Sequence, residues 1–167
     1  MYNPDMHNMT SYAHLARTAL GSVPAARAQV RGGPRNSRLK GVFSFYAAGN
    51  GSLVTAEVNG LPKTHTGIYA VHIHDGASCT GNAEDPFAAS GQHFNPANRP
   101  HPLHVGDLLP LFGNDGFAVY SFYTDRFLPG DVVGHTVIIH SDPDDFRSQP
   151  SGNSGGKIAC GVIEKTR

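Results

Sequence analysis

The chain has 167 residues, 39% of them hydrophobic and 20 of them glycine, which is the length and composition of one globular domain. Thirteen basic and 13 acidic side chains give a formal net charge of zero, so no global field favours nucleic acid or an anionic membrane. No run approaches the roughly 18 apolar residues of a spanning helix, and the N-terminus lacks the basic start and apolar stretch of a signal peptide; the expectation is a cytoplasmic protein with no membrane partner.

Residues 1–22 carry a helical pattern (Tyr12, Leu15, Ala16, Ala19, Leu20) that ends near Gly21 and Pro24, and read as an extension before the main domain. The period then changes to two. Ala26, Ala28 and Val30 alternate with Arg27, Gln29 and Arg31 until Gly32, Gly33 and Pro34 interrupt, which predicts a strand and a turn. Leu39, Gly41, Phe43 and Phe45 predict a second strand, and Gly49, Asn50 and Gly51 a hairpin turn. Val54, Ala56 and Val58 alternate with Thr55, Glu57 and Asn59 in a third. The apolar run Ile68 to His74 precedes a segment from Asp75 to Asp115 that is rich in Gly, Pro, Asn and His and has no sustained period. A stretch of that length inside one domain is usually functional or disordered. Phe117 to Tyr123, Val132 to Ile139 and Lys157 to Ile163 read as further strands, with a second irregular loop from Ser141 to Gly156. Seven or eight short strands without a long helix among them indicate an all-β antiparallel sandwich or barrel.

Histidine is the anomaly. There are 10, and eight of them lie between His65 and His140. In VHIH the spacing of two puts His72 and His74 on one strand face while Val71 and Ile73 turn to the core. Alone that is a weak signal, since exposed strand faces carry histidine for ordinary reasons. Downstream, HFNPANRPHPLHVGD supplies His93, His101, His104 and Asp107, three histidines and a carboxylate of the kind that complete a tetrahedral zinc shell. Pro96, Pro100 and Pro102 stiffen that loop and lower the entropy of presenting the ligands. His140 ends VIIH, on the strand face opposite Val137 and Ile139. The two cysteines, Cys79 and Cys160, would by themselves read as reduced buried thiols in a chain without an export signal.

From about Val23 to Arg167 these residues resemble the copper/zinc superoxide dismutases. The resemblance rests on His72-x-His74, Cys79, His93 in HFNP, His101, His104, Gly106-Asp107-Leu108, His140, Asp144-Asp145, and the run Ala159 to Ile163, ACGVI. It implies a Greek-key barrel of about eight strands spanning residues 23–167, with a metal loop and an electrostatic-type loop. It implies copper held by His72, His74, His93 and His140, and zinc by His93, His101, His104 and Asp107, with His93 bridging the ions through its two ring nitrogens. Asp144 would accept hydrogen bonds from one histidine of each metal, against the alternative of a solvated Asp144-Asp145 pair. Cys79 and Cys160 would form an intrasubunit disulfide. The implied reaction is dismutation of superoxide to oxygen and hydrogen peroxide by copper redox cycling, with His93 handling the proton and zinc as structural and electrostatic partner.

The chain departs from the family pattern in three places. Only Pro102 and Leu103 separate His101 from His104, which makes a compact zinc segment. The interval from His74 to Cys79 is short where many members build a dimer contact, so the oligomeric state stays open, a homodimer included. Lys157 stands where the family generally has an arginine beside the copper. A lysine keeps the charge for guiding superoxide but loses the planar donor fork; otherwise it is a solvent-facing strand residue. Arg147 reads as solvated rather than as a second source of positive field, His65 and His135 as structural, and His7 and His14, with Met6 and Met9, as terminal residues without a metal role. Two other functions fit the ligand pattern: a non-enzymatic copper- and zinc-binding protein of the same fold, or a sandwich that holds structural zinc only.

Overall fold

The computed structural model describes residues 6–167, with side chains described from residue 13. The first element is the helix α1 (Met6–Leu20). Its small residues Ala16 and Ala19 pack on Ala48, Leu53 and Tyr46 of the sheet, while Leu20 at its C-terminal end stays exposed. The helical expectation for Tyr12 and the absent role of Met6, His7 and Met9 concern side chains outside the described residues; His14 is exposed.

Nine strands follow: β1 (Ala26–Gly32), β2 (Lys40–Ala48), β3 (Gly51–Asn59), β4 (Ile68–Tyr69), β5 (Val71–His74), β6 (Leu111–Phe112), β7 (Phe117–Thr124), β8 (Thr136–His140) and β9 (Lys157–Lys165). Seven form one antiparallel sheet in the order β5-β8-β9-β1-β2-β3-β7, and β4 pairs with β6 in a small second sheet. Since β4 runs into one edge strand, β5, and β6 into the other, β7, their pairing draws the two edges of the curled sheet together at one end. That answers the exposed-edge problem of an open sheet. Alternation decides which side chains enter the core: Ala26, Ala28 and Val30 are buried while Arg27, Gln29 and Arg31 face solvent. Inside lie Phe43, Phe45, Val54, Val58, Val71, Ile73, Val137, Ile139 and Ile163, with Phe43 meeting Tyr120 edge to face at 6.1 Å.

Three strand expectations change in detail. The run Ile68 to His74 is broken at Ala70, whose N–H bonds to the carbonyl of Asp142 in the second loop instead of a ladder partner. The strand expected from Val132 begins at Thr136, because Pro129–Val132 closes a 3-10 turn over the core. The segment expected to be structureless up to Asp115 contains a short 3-10 turn, Ala88–Ser90, and strand β6. Among the described residues no helix is long and apolar enough to cross a membrane.

Candidate metal centre

Strands β5 and β8 are antiparallel neighbours, with His72 opposite Ile138 and His74 opposite Thr136. The core side chains Val71, Ile73, Val137 and Ile139 leave His72, His74 and His140 on the other face, all buried. Bridges outside the strands hold the long loop against β5: His72 pairs with Asp107, and His74 with His93. The backbone of Gly106 makes the close approach possible, since a Cβ there would lie 2.2 Å from the carbonyl oxygen of Ile73.

Two groups result, each with its ligand atoms within 4.8 Å of one another: His72, His74, His93 and His140, and His93, His101, His104 and Asp107. His93 belongs to both. Its Nδ1 lies 2.9 Å from Asp107 Oδ1 and 3.2 Å from His104 Nδ1, whereas its buried Nε2 has no hydrogen-bond partner.

The tautomers decide whether these groups suit a cation. A neutral imidazole has one donor and one acceptor nitrogen. His72 Nε2–H donates to Asp144 Oδ2 and His101 Nε2–H to Asp144 Oδ1, both at 2.8 Å, which leaves their Nδ1 atoms as buried lone pairs without a donor. His74 Nδ1–H donates to the carbonyl of Gly91 at 3.0 Å and His140 Nδ1–H to that of Gly155 at 3.4 Å. Their Nε2 atoms, 3.3 Å apart, are then two acceptors face to face. His101 Nδ1 likewise faces Asp107 Oδ2 at 3.1 Å. Buried acceptors turned on one another repel unless positive charge sits between them, so the donor set fits a metal ion in each group.

Burial prepares the same state electrostatically. It pushes His72 down to about 4, against the raising effect of the Asp144 hydrogen bond, and His74 down to about 3, with His93 adding to the effect. Burial also sets His140 well below the usual imidazole range and lowers His104. Burial would raise Asp107, but the His93 hydrogen bond and neighbouring histidines bring it down to about 2. Asp144 is lowered too, its burial outweighed by His72, the Phe146 N–H and His101. At neutral pH these ligands are therefore unprotonated, the form that binds metal. Because the three strand histidines are protonated more readily unfolded than folded, stability of the metal-free chain is full above about pH 6.5 and falls as pH drops towards 3. Urea midpoints of the metal-free protein at pH 7 and pH 4.5 check this: a clearly lower midpoint at 4.5 is expected, and equal midpoints contradict it.

Asp144 thus joins one histidine of each group, and is neither solvated nor independent. Gly152, with φ +66°, sits where a Cβ would come 1.9 Å from Asp144 Oδ1. Two further residues carry the loop and have no sequence signal. Arg126 Nη1 donates to the carbonyls of Pro102, His104 and Asp107 at 3.1, 3.0 and 3.3 Å. Gln149 accepts from the His101 N–H at 3.0 Å and donates to the His101 carbonyl at 2.7 Å. An arginine in a loop reads as solvated, and backbone acceptors leave no motif.

Cys79 and Cys160 are joined as a disulfide, Cα to Cα 5.6 Å, beside Phe87 and Ile138. Three residues before Cys160, Lys157 is half-buried rather than solvent-facing: its Nζ donates to Asp85 Oδ2 at 2.9 Å, the Phe87 carbonyl at 3.2 Å and the Gly91 carbonyl at 3.4 Å. It lines a cavity of about 760 Å³ with His74, His93, His140, Asp85 and Arg35. Arg35, from the turn after β1, is a cation at this mouth that sequence reasoning missed; Arg147 is exposed and does not line it. His135 donates through Nδ1 to the Asp75 carbonyl at 2.9 Å and stacks on Phe94, and His65 is exposed.

The fold and site together define an antiparallel barrel protein with two adjoining histidine-rich groups of metal-binding chemistry. The family model described as copper/zinc superoxide dismutase (SODC) matches residues 39–163, and the chain belongs to that family. It is 33% identical over 148 residues to the superoxide dismutase [Cu-Zn] of Deinococcus radiodurans, covering 78% of this chain and 80% of that one. It is 26% identical over 181 aligned positions to the extracellular superoxide dismutase [Cu-Zn] of Brugia pahangi, covering 97% and 85%.

Proposed function

We propose that the protein is a superoxide dismutase, converting two superoxide anions and two protons to oxygen and hydrogen peroxide. The observation that carries this is His93, whose two nitrogens face two ligand groups. Storage of metal needs no shared ligand. In this reading His72, His74, His93 and His140 hold copper, and His93, His101, His104 and Asp107 hold zinc. Copper supplies one-electron redox chemistry, and zinc a fixed positive charge.

The chain's own residues supply the rest. Asp144 fixes the tautomers of His72 and His101, so that each turns its unprotonated Nδ1 to its group. His74 and His140 are fixed the same way by the Gly91 and Gly155 carbonyls. Of the three histidines with a buried partnerless nitrogen only His93 lines the cavity, and its Nε2 takes up and releases a proton. Lys157 and Arg35 present positive charge at the mouth, which favours encounter with an anion and makes the rate fall with ionic strength. The catalytic unit is residues 23–167: β1 lies outside the 39–163 match yet pairs with β2 on one side and β9 on the other, and before it α1 rests on the sheet through Ala16 and Ala19.

Reconstitution with copper and zinc, followed by metal analysis and a superoxide assay on the same sample, tests the reading. Two metals per chain with turnover is the expected result. Two metals without turnover, or zinc alone, overturns it.

A further inference from the structure

The ammonium of Lys157 has three N–H donors, and all three have acceptors: Asp85 Oδ2, the Phe87 carbonyl and the Gly91 carbonyl. The planar five-donor fork of an arginine could make the same contacts and keep a donor for an anion; lysine has none left over. The Gly91 carbonyl is shared with His74 Nδ1, so Lys157 sits one carbonyl away from the first histidine group. Of the three acceptors only Asp85 is charged, and its side chain is 40% exposed against 16% for Lys157, which places the carboxylate on the solvent side of the ammonium. Asp85 stays ionised at neutral pH: partial burial raises it, but the Lys157 bond and the Phe87 N–H hold it below the usual carboxylate range. The mouth also carries Glu84 and Arg35.

We propose that Asp85 competes with the substrate anion for Lys157, so that the carboxylate on this side of the cavity sets how readily an anion is captured. The inference rests on the dismutase reading. An anion drawn to Lys157 must take one of its donors, and the donor on the solvent side is the one Asp85 holds. Asp85 is thus a positioning residue acting through Lys157. Asp85 Oδ1 also accepts the Phe87 N–H at 2.9 Å, a turn contact that asparagine keeps, so Asp85→Asn removes the competing charge without removing the turn.

The expected result for Asp85→Asn is a rise in kcat/KM for superoxide at low ionic strength of about two- to fivefold, the range to which the worth of a partly exposed ion pair converts. Azide, a monovalent anion probe titrated by visible absorption into the copper- and zinc-loaded protein, should bind tighter by the same factor. Glu84→Gln, which removes a charge of the same sign without touching Lys157, should gain less. In a Lys157→Met background the Asp85→Asn gain should vanish. Unchanged or weaker azide binding in Asp85→Asn, an equal gain from Glu84→Gln, or a gain that survives in Lys157→Met overturns the proposal. Absence of turnover in the loaded wild-type protein overturns the dismutase reading instead, and the azide series still reports on Asp85.

Discussion

Asp144→Asn is expected to weaken metal binding by about 10- to 100-fold at the histidine group whose imidazole N–H the amide can no longer accept. The carboxylate is buried and accepts an N–H on each oxygen, from His72 and from His101, both at 2.8 Å. An amide can accept on one side only. On the other its NH2 faces an imidazole N–H, so that ring must change tautomer and turn a proton towards its own group, or rotate away. Space to relax is small, because Gly152 packs against this carboxylate so closely that a Cβ would overlap it. Competition titrations with a chelator, read separately for copper and zinc, check the result. A variant that loses affinity for neither metal contradicts the role given to Asp144.

Removing the disulfide should have the largest effect on stability. Cys79 and Cys160 are separated by 81 positions, and in the chain-entropy model a closed loop of that length contributes about 4 kcal/mol. The bond ties the start of the metal loop to β9, three residues from Lys157, and lies against Phe87 and Ile138. For a domain of this size the melting temperature of the metal-free double variant Cys79→Ala, Cys160→Ala should fall by about 10 °C. The calorimetric scan should be run without metals, since bound ions would mask the loss through their own stabilisation of the folded state. A shift within about 2 °C would contradict the assignment of stability to this bond.

Much of the architecture was legible because its physics is local. A period of two marked β1, β2 and β3, and the same period placed His72 and His74 opposite the core residues Val71 and Ile73. The second loop and the metal loop were legible as glycine- and proline-rich stretches between apolar runs. What was hidden depends on partners distant in sequence. Ala70 leaves the strand to bond Asp142, and Val132 belongs to a turn over the core because Pro129 opens a 3-10 helix there. Arg126 and Gln149 grip backbone carbonyls and an N–H, groups every residue has and no motif announces. Asp85 and Arg35 reach the cavity from segments with no histidine in them. The largest difference concerns Lys157: a charge could be read from sequence, but not that the fold surrounds it with three acceptors.

Whether His93 is a ligand shared by two ions is decided by a crystal structure of the reconstituted protein with anomalous data at the copper and zinc edges. The expected result is a copper ion among His72, His74, His93 and His140, a zinc ion among His93, His101, His104 and Asp107, and the ring of His93 between them. A single ion per chain, or two ions of which only one touches His93, would contradict it.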